Sequence, residues 1–512
     1  MHRLSLPEPN RNLTPAFSDP AAAEAWLAAL APKSTTDALA AILEQIEAID
    51  GGSLSAPHAL ALLNLLRTAA VPLQAIAEGE FTRKALPMLA EEARNFDIAR
   101  QLWTRMGIAY LRLVPQCTPA NRCLPLHRAT TAFRVAQYCH FLAARTCSPR
   151  LNDLLLAVLV SAEANGVLRR PMADPDYPRY GKGTVAGQLA WALLVQTIDP
   201  YHLQPIQLQV VNRAFSRWRE LVTFETDAAS VKSDYRIDLA VLFDGELPAG
   251  IPVCLNIRSV ARKLAQRVQA LKAGESPEAL KLGRVLSASA AIRLLKDVER
   301  HLHAAGSPAR GGNGELKLVF GCENAYALLK KKTLNSLDTE GASDRSTSYQ
   351  RMEKLGFDRV SHMPTEVTKK LDLPSERWIV TDGIARRPQE SSSARLLAPC
   401  LVAARIDGEP RLGFISSLRS DDDGTLAARI TWHTQSTEAG TLKRLAPRGN
   451  KLVRVAAFVL NDGDGYSLIV PTDTGARLGV KLELAGFGIE SFVPAEIIER
   501  GTDFVHYTGL PG

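Results

Sequence analysis

No apolar run in the 512 residues approaches the roughly 18 needed to cross a bilayer; the best candidate, LNDLLLAVLVSAEANGVL from Leu151, is interrupted by Asn, Asp, Glu and Gly. It reads as a buried helix. The opening segment, MHRLSLPEPNRNLTP, has no apolar core stretch and carries Pro7 and Pro9, so a secretory leader is not expected. Cysteine is sparse and odd in number, seven scattered over the chain, which argues against a disulfide framework and for a reduced, cytoplasmic protein. The chain also lacks G-x-x-x-x-G-K-S/T, H-E-x-x-H and G-x-S-x-G. Phosphate-loop, zincin and hydrolase chemistries therefore have no anchor, and a non-enzymatic protein is expected.

What is present is ample material for a core. Hydrophobic residues make up 46% and charged residues 22%, the balance of a globular protein, and the length implies two to four domains. A net charge of +7 permits an anionic ligand, a nucleic acid or an acidic membrane as partner. The basic residues are spread through helices that also carry acids. The densest run, LLKKKTL at Leu328 to Leu334, holds three lysines and reads as a solvated face.

From Asp19 to Val222 apolar residues recur at three- and four-residue spacing, with Asp19-Pro20 as a helix start and Asp199-Pro200 as an internal stop. No repeat period holds across two units, so an irregular helical domain is expected. After Thr223 the texture shifts to YRIDLAVLFDGELPAGIPVCLNI, a small strand-bearing insert. Two helices follow, the second starting after Ser276-Pro277. SPARGGNGE, Ser307 to Glu315, marks a boundary. Beyond it short strands alternate with the hairpin pairs Asp407-Gly408, Asp423-Gly424 and Asp462-Gly463, which implies a small antiparallel barrel or sandwich. The expected fold is multidomain α+β. It comprises an all-α region at 1–222, a mixed middle segment at 223–306, and a C-terminal antiparallel β-barrel at 307–512 with a mobile loop near 337–350.

Cys117, Cys123, His127, Cys139 and His140 lie close in sequence, but the first gap has five intervening residues where a zinc site shows two to four, and adjacent Cys139 and His140 point apart on a helix; buried thiols are the expectation, and no metal site is assigned. DGDG at Asp462 to Gly465 is a turn rather than a calcium loop, because the bidentate acid is missing.

ERWIVTDGIARRP, Glu376 to Pro388, places a tryptophan and a β-branched run before an Asp-Gly turn and two arginines. With Asp199-Pro200-Tyr201, Tyr235-Arg-Ile-Asp238-Leu239, LKAGESPEALKLG and LVFG, it makes the chain resemble multidomain proteobacterial proteins that set a long helical region before a divergent PilZ-type barrel. PilZ domains bind cyclic di-GMP through R-x-x-x-R and D/N-x-S-x-x-G, so the resemblance implies Asp382, Arg386, Arg387 and Arg310 as ligand-binding candidates. Two guanidiniums would clamp phosphates and stack on guanine faces. Here Ile384 stands for the serine, Arg387 for the glycine, and Gly306 lies four residues before Arg310. The implied dinucleotide site is thus degenerate, with cyclic di-GMP at most a weak ligand. The expected function is a cyclic di-GMP effector-like signalling or scaffold protein whose helical region binds a protein partner, with no cofactor. A nucleic-acid-associated adaptor, and an enzyme with no recognisable motif, stay open as alternatives.

Overall fold

Asp19 and Pro20 start the first helix: the Asp19 carboxylate accepts from the Ala22 amide at 3.0 Å, and Pro20 fills the first turn, where its missing N–H costs nothing. The structure is a computed structural model and describes residues 5–31, 33–303, 313–334, 373–388, 394–445, 452–461, 463 and 465–512. Arg310 and the loop expected near 337–350 lie outside the described residues. The chain divides into two units, Met1–Lys84 with Met88–Pro308, and Ala85–Pro87 with Ala309–Gly512.

The first unit holds α1 (Pro20–Ala28), α2 (Thr35–Gly51), α3 (Ala56–Phe81), α4 (Ala90–Leu113), α5 (Cys123–Leu142), α6 (Pro149–Ala164), α7 (Val185–Thr197), α8 (Pro205–Trp218), the short α9 (Leu239–Leu242), α10 (Arg258–Lys272) and α11 (Ala288–His303). Almost every residue of α5 is buried, which makes it the central helix. One apolar core runs from Phe17 to Leu302, and so continues across the change of texture near residue 222. The insert after that point is a three-stranded antiparallel sheet in the order β3 (Thr223–Glu225), β5 (Cys254–Asn256), β4 (Arg236–Asp238). Two further short strands, β1 (Met172–Ala173) and β2 (Lys182–Gly183), pair in the loop between α6 and α7.

Two local expectations need correction. The last helix of this unit starts at Ala288 and not after Ser276-Pro277; the Ser276 hydroxyl does accept from the Ala279 amide, but Lys281 (φ +61°) and Gly283 (φ +97°) turn the chain out of helical space. The most membrane-like segment is α3 and not the run at Leu151, since by length and composition α3 alone among the described residues could cross a bilayer. It packs as a core helix. Its middle carries fully buried Arg67, paired with Asp174 and Asp176.

The second unit holds two closed barrels where one was expected. The first is ordered β10 (Glu409–Ser420), β11 (Leu426–Trp432), β8 (Ile384–Arg387), β7 (Glu376–Thr381), β6 (Gly314–Phe320), β9 (Cys400–Ile406). The second is ordered β12 (Ser436–Leu445), β13 (Leu452–Asn461), β14 (Tyr466–Pro471), β17 (Phe504–Pro511), β16 (Ser491–Arg500), β15 (Leu482–Ala485). Every pairing is antiparallel. The split is physical: short strands with tight turns close on themselves once enough have paired, and closure removes exposed edges. Helix α12 (Cys322–Lys330) plugs Ala325 and Tyr326 into a core that includes Leu401 and Leu412 of one barrel and Phe458 and Ile469 of the other. Asp407-Gly408 forms the expected two-residue turn, with φ of +54° and +85° and Ile406 paired to Glu409.

Candidate ligand-binding site

The stretch from Glu376 to Pro388 is a β-hairpin. Asp382 (φ +52°) and Gly383 (φ +74°) make the turn between β7 and β8, with Thr381 paired to Ile384. The Asp382 amide donates to Asn313 Oδ1 at 2.9 Å, and its side chain is in solvent. Arg387, at the other end of β8, is 2% exposed. Its Nη1 donates to Glu376 Oε2 at 2.8 Å, its Nη2 to the Ala394 carbonyl at 3.0 Å, and its guanidinium lies 5.7 Å from the ring centre of fully buried Trp378. All three contacts are internal. Arg386 alternates to the opposite face, half-buried beside Ile379 and Ala427. The hairpin thus sets Arg386 and Arg387 on opposite faces and Asp382 at the far end, so the three do not form one clamp.

Within the first unit a buried charge cluster fastens the loop between α6 and α7 to the helices. Arg67 holds Asp174 through two donors and also meets Asp176, while Arg128 Nη1 reaches Asp174 Oδ1 at 2.9 Å and Asp176 Oδ2 at 2.8 Å. Burial is the largest influence on the pKa of Arg67 and would lower it, but Asp174 together with Tyr110, Tyr177 and Asp176 more than offsets it, and the net shift is upward. Two cations meet two anions here, so the cluster is closed and structural. Nearby His127 is 1% exposed, and burial holds its imidazole neutral with a pKa of about 4. Cys123 and Cys139 are buried thiols, and no three of Cys117, Cys123, His127, Cys139 and His140 converge as metal ligands among the described residues.

An open set of charges lies elsewhere in that unit. A cavity of about 480 Å³ is lined by Lys232, Tyr235, Arg258, Arg262, Glu299 and His303, with Ala261 and Ala265 between the arginines. Helix periodicity builds it: Arg258 and Arg262 are one turn apart on the first turns of α10, and Glu299 and His303 are one turn apart on α11. The small side chains of Ala261 and Ala265 leave the space. Tyr235 enters from the turn before β4, anchored because its carbonyl accepts from the Ile257 amide at 2.9 Å. Its ring has the Arg258 guanidinium 5.6 Å from its centre and the His303 ring 5.9 Å away at 73°. No carboxylate pairs with Lys232, Arg258 or Arg262 among the described residues. Three cations, a single carboxylate and an aromatic ring can hold a doubly charged phosphate ester and stack a planar base. The spacing Arg258-x-x-x-Arg262 was visible in RSVAR, which reads from sequence only as the start of a helix.

Comparison with known proteins bears on the first unit. Residues 21–229 match the family model described as the cyclic-di-GMP receptor FimW, N-terminal domain. That span takes in α1 to α8, the Arg67 cluster and β3, and ends three residues before Lys232 of the cavity. No curated protein and no solved structure matches the chain.

Proposed function

We propose that this chain is a non-enzymatic cyclic di-GMP effector that takes the dinucleotide in the cavity between α10, α11 and Tyr235. The observation that carries the reading is the match of residues 21–229 to the N-terminal domain of a cyclic-di-GMP receptor. The cavity supports it chemically. Lys232, Arg258 and Arg262 supply positive charge for the two phosphates, and the face of Tyr235 with the Arg258 guanidinium stacks on a guanine. Glu299 can accept from the N1–H and exocyclic amine that distinguish a guanine edge. The hairpin at Asp382, Arg386 and Arg387 is the degenerate position in this proposal, because Arg387 spends its donors on Glu376 and Ala394. Signal output passes by contact with a protein partner.

Calorimetry on the full chain tests the reading. Cyclic di-GMP should bind, and Arg258→Ala or Arg262→Ala should each weaken it by roughly 10- to 150-fold, the equivalent of one charge-assisted contact of about 1.5 to 3 kcal/mol. Arg386→Ala should leave the affinity unchanged. Binding that survives loss of both α10 arginines sinks the assignment.

A further inference from the structure

A second constellation sits where the corner after α7 meets α11, the helix that also bears Glu299 and His303. His202, Asp297 and His301 present one imidazole nitrogen each and a carboxylate oxygen, all within 4.8 Å of one another. We propose that these three side chains bind a divalent first-row transition ion, with zinc as the reference metal. The spacing fits. Bonds of about 2.0 to 2.1 Å in a tetrahedral site put ligand atoms about 3.3 Å apart, so the remaining gap of about 1.5 Å closes by side-chain torsion alone. Two histidines and one carboxylate with an open position for water is a donor set of catalytic and regulatory metal sites.

The hydrogen bonding around His202 is the independent observation. Its Nδ1 faces the Asp199 carbonyl, which can only accept, so Nδ1 carries the proton. The other nitrogen, Nε2, lies 2.6 Å from Asp297 Oδ2. Two lone pairs cannot sit at that distance, so a proton lies between them, and a metal takes its place as the pair opens from 2.6 Å to about 3.3 Å. Donation of the remote ring nitrogen to a backbone carbonyl is the arrangement that orients metal-binding histidines. The third donor, His301, gives its Nδ1 proton to the Asp297 carbonyl at 2.9 Å, which leaves the lone pair on Nε2; its ring stacks on His202 with centres 4.4 Å apart and turns to bring that nitrogen onto the ion.

Its supports are rigid. Asp199 holds the left-handed conformation (φ +50°), Arg83 Nη2 donates to the Pro200 carbonyl at 2.7 Å, and the Tyr201 hydroxyl donates to the Arg145 carbonyl at 2.9 Å. Asp297 and His301 are one turn apart on α11. Side-chain exposures of 19%, 23% and 23% leave a path for an ion from solvent. Arg300 also meets Asp297 Oδ1, but its side chain is 74% exposed and swings clear at little cost.

The test uses the full chain stripped with a chelator. Zinc loading followed by gel filtration and elemental analysis should give one bound ion, and cobalt(II) should produce visible ligand-field bands without a thiolate charge-transfer band. His301→Ala should weaken zinc binding by ~100-fold or more, at or above the upper end of the effect of losing a mere supporting contact. His202→Gln keeps a donor to Asp297 and so preserves the fold; it should lose the metal equally while its melting temperature without metal stays near that of the parent. A dissociation constant weaker than about 100 μM for the parent, a thiolate band, or zinc retained in the His202→Gln, His301→Ala double variant would each overturn the proposal.

Discussion

Arg387 shows what decides whether an arginine serves a ligand or the fold. It is 2% exposed with its donors on Glu376 and Ala394, so Arg387→Ala removes one half of a buried pair and leaves the Glu376 carboxylate with less compensation. Breaking such a pair costs roughly 3 to 5 kcal/mol. Arg386→Ala on the other face should stay within about 0.5 to 1 kcal/mol. Melting of the second unit, followed for both variants, checks this; equal and small losses would show that Arg387 is not structural. The Asp-Gly turn and the strand before it were legible in ERWIVTDGIARRP, because turn chemistry is local. The fate of each arginine was not, since it depends on Glu376, Trp378 and Ala394 being brought around it. Arg258 and Arg262 have the same lesson in reverse: their spacing is in the sequence, but Glu299 and His303 reach them only through the packing of α10 on α11.

Close helix contact sets the next scale. A Cβ on Gly107 of α4 would lie 2.4 Å from the ring of Phe133 on α5, and Phe133 is fully buried with nowhere to go. Overpacking costs roughly 1 to 3 kcal/mol, more than the about 1 kcal/mol that alanine gains over glycine in a helix. Gly79 of α3 has nothing within 4 Å of its Cβ position. Gly107→Ala should therefore lower the melting temperature of the first unit while Gly79→Ala raises it, and a rise in both would contradict the packing described. Helix starts at Asp19-Pro20, Ser34 and Ser148-Pro149 carry their own capping residues; the start of α11 is not legible in the same way, because the cap at Ser276 is followed by two positive-φ residues, Lys281 and Gly283, whose effect is felt only in the folded chain.

Strands of the second unit carry a pH response. His506 on β17 hydrogen-bonds Ser467 Oγ at 2.9 Å, and its ring meets His433 at 5.4 Å. Burial lowers the pKa of His433 to about 4, and burial with the nearby His433 charge lowers that of His506 to about 3. Both lie below the unfolded value of about 6.5, so the unfolded chain binds protons that the folded chain refuses. Stability is full above about pH 6.5 and falls as pH drops, by about 1.4 kcal/mol per unit for each histidine, down to about 4 for His433 and 3 for His506. His506→Gln keeps a donor to Ser467 and should flatten the slope between about pH 6.5 and 5. A slope identical to that of the parent would show that His506 does not titrate as described.

At the scale of the whole molecule, the change from helix-rich to strand-rich texture near residue 307 is legible in sequence and falls at the division between the two units, whereas the number of barrels did not show. Closure of the second barrel rests on β14 meeting β17 and β12 meeting β15, pairings between segments about 30 or more residues apart that no local pattern records. The same limit hid the cavity, whose lining spans Lys232 to His303. The central claim is that the dinucleotide binds there and not on the hairpin. Hydrogen–deuterium exchange of the full chain with and without saturating cyclic di-GMP tests it most directly, because it reports where backbone becomes protected. Slowed exchange in 232–236, 258–265 and 299–303 with 376–388 unchanged is the predicted result. Protection confined to 376–388, or no change anywhere, would contradict it.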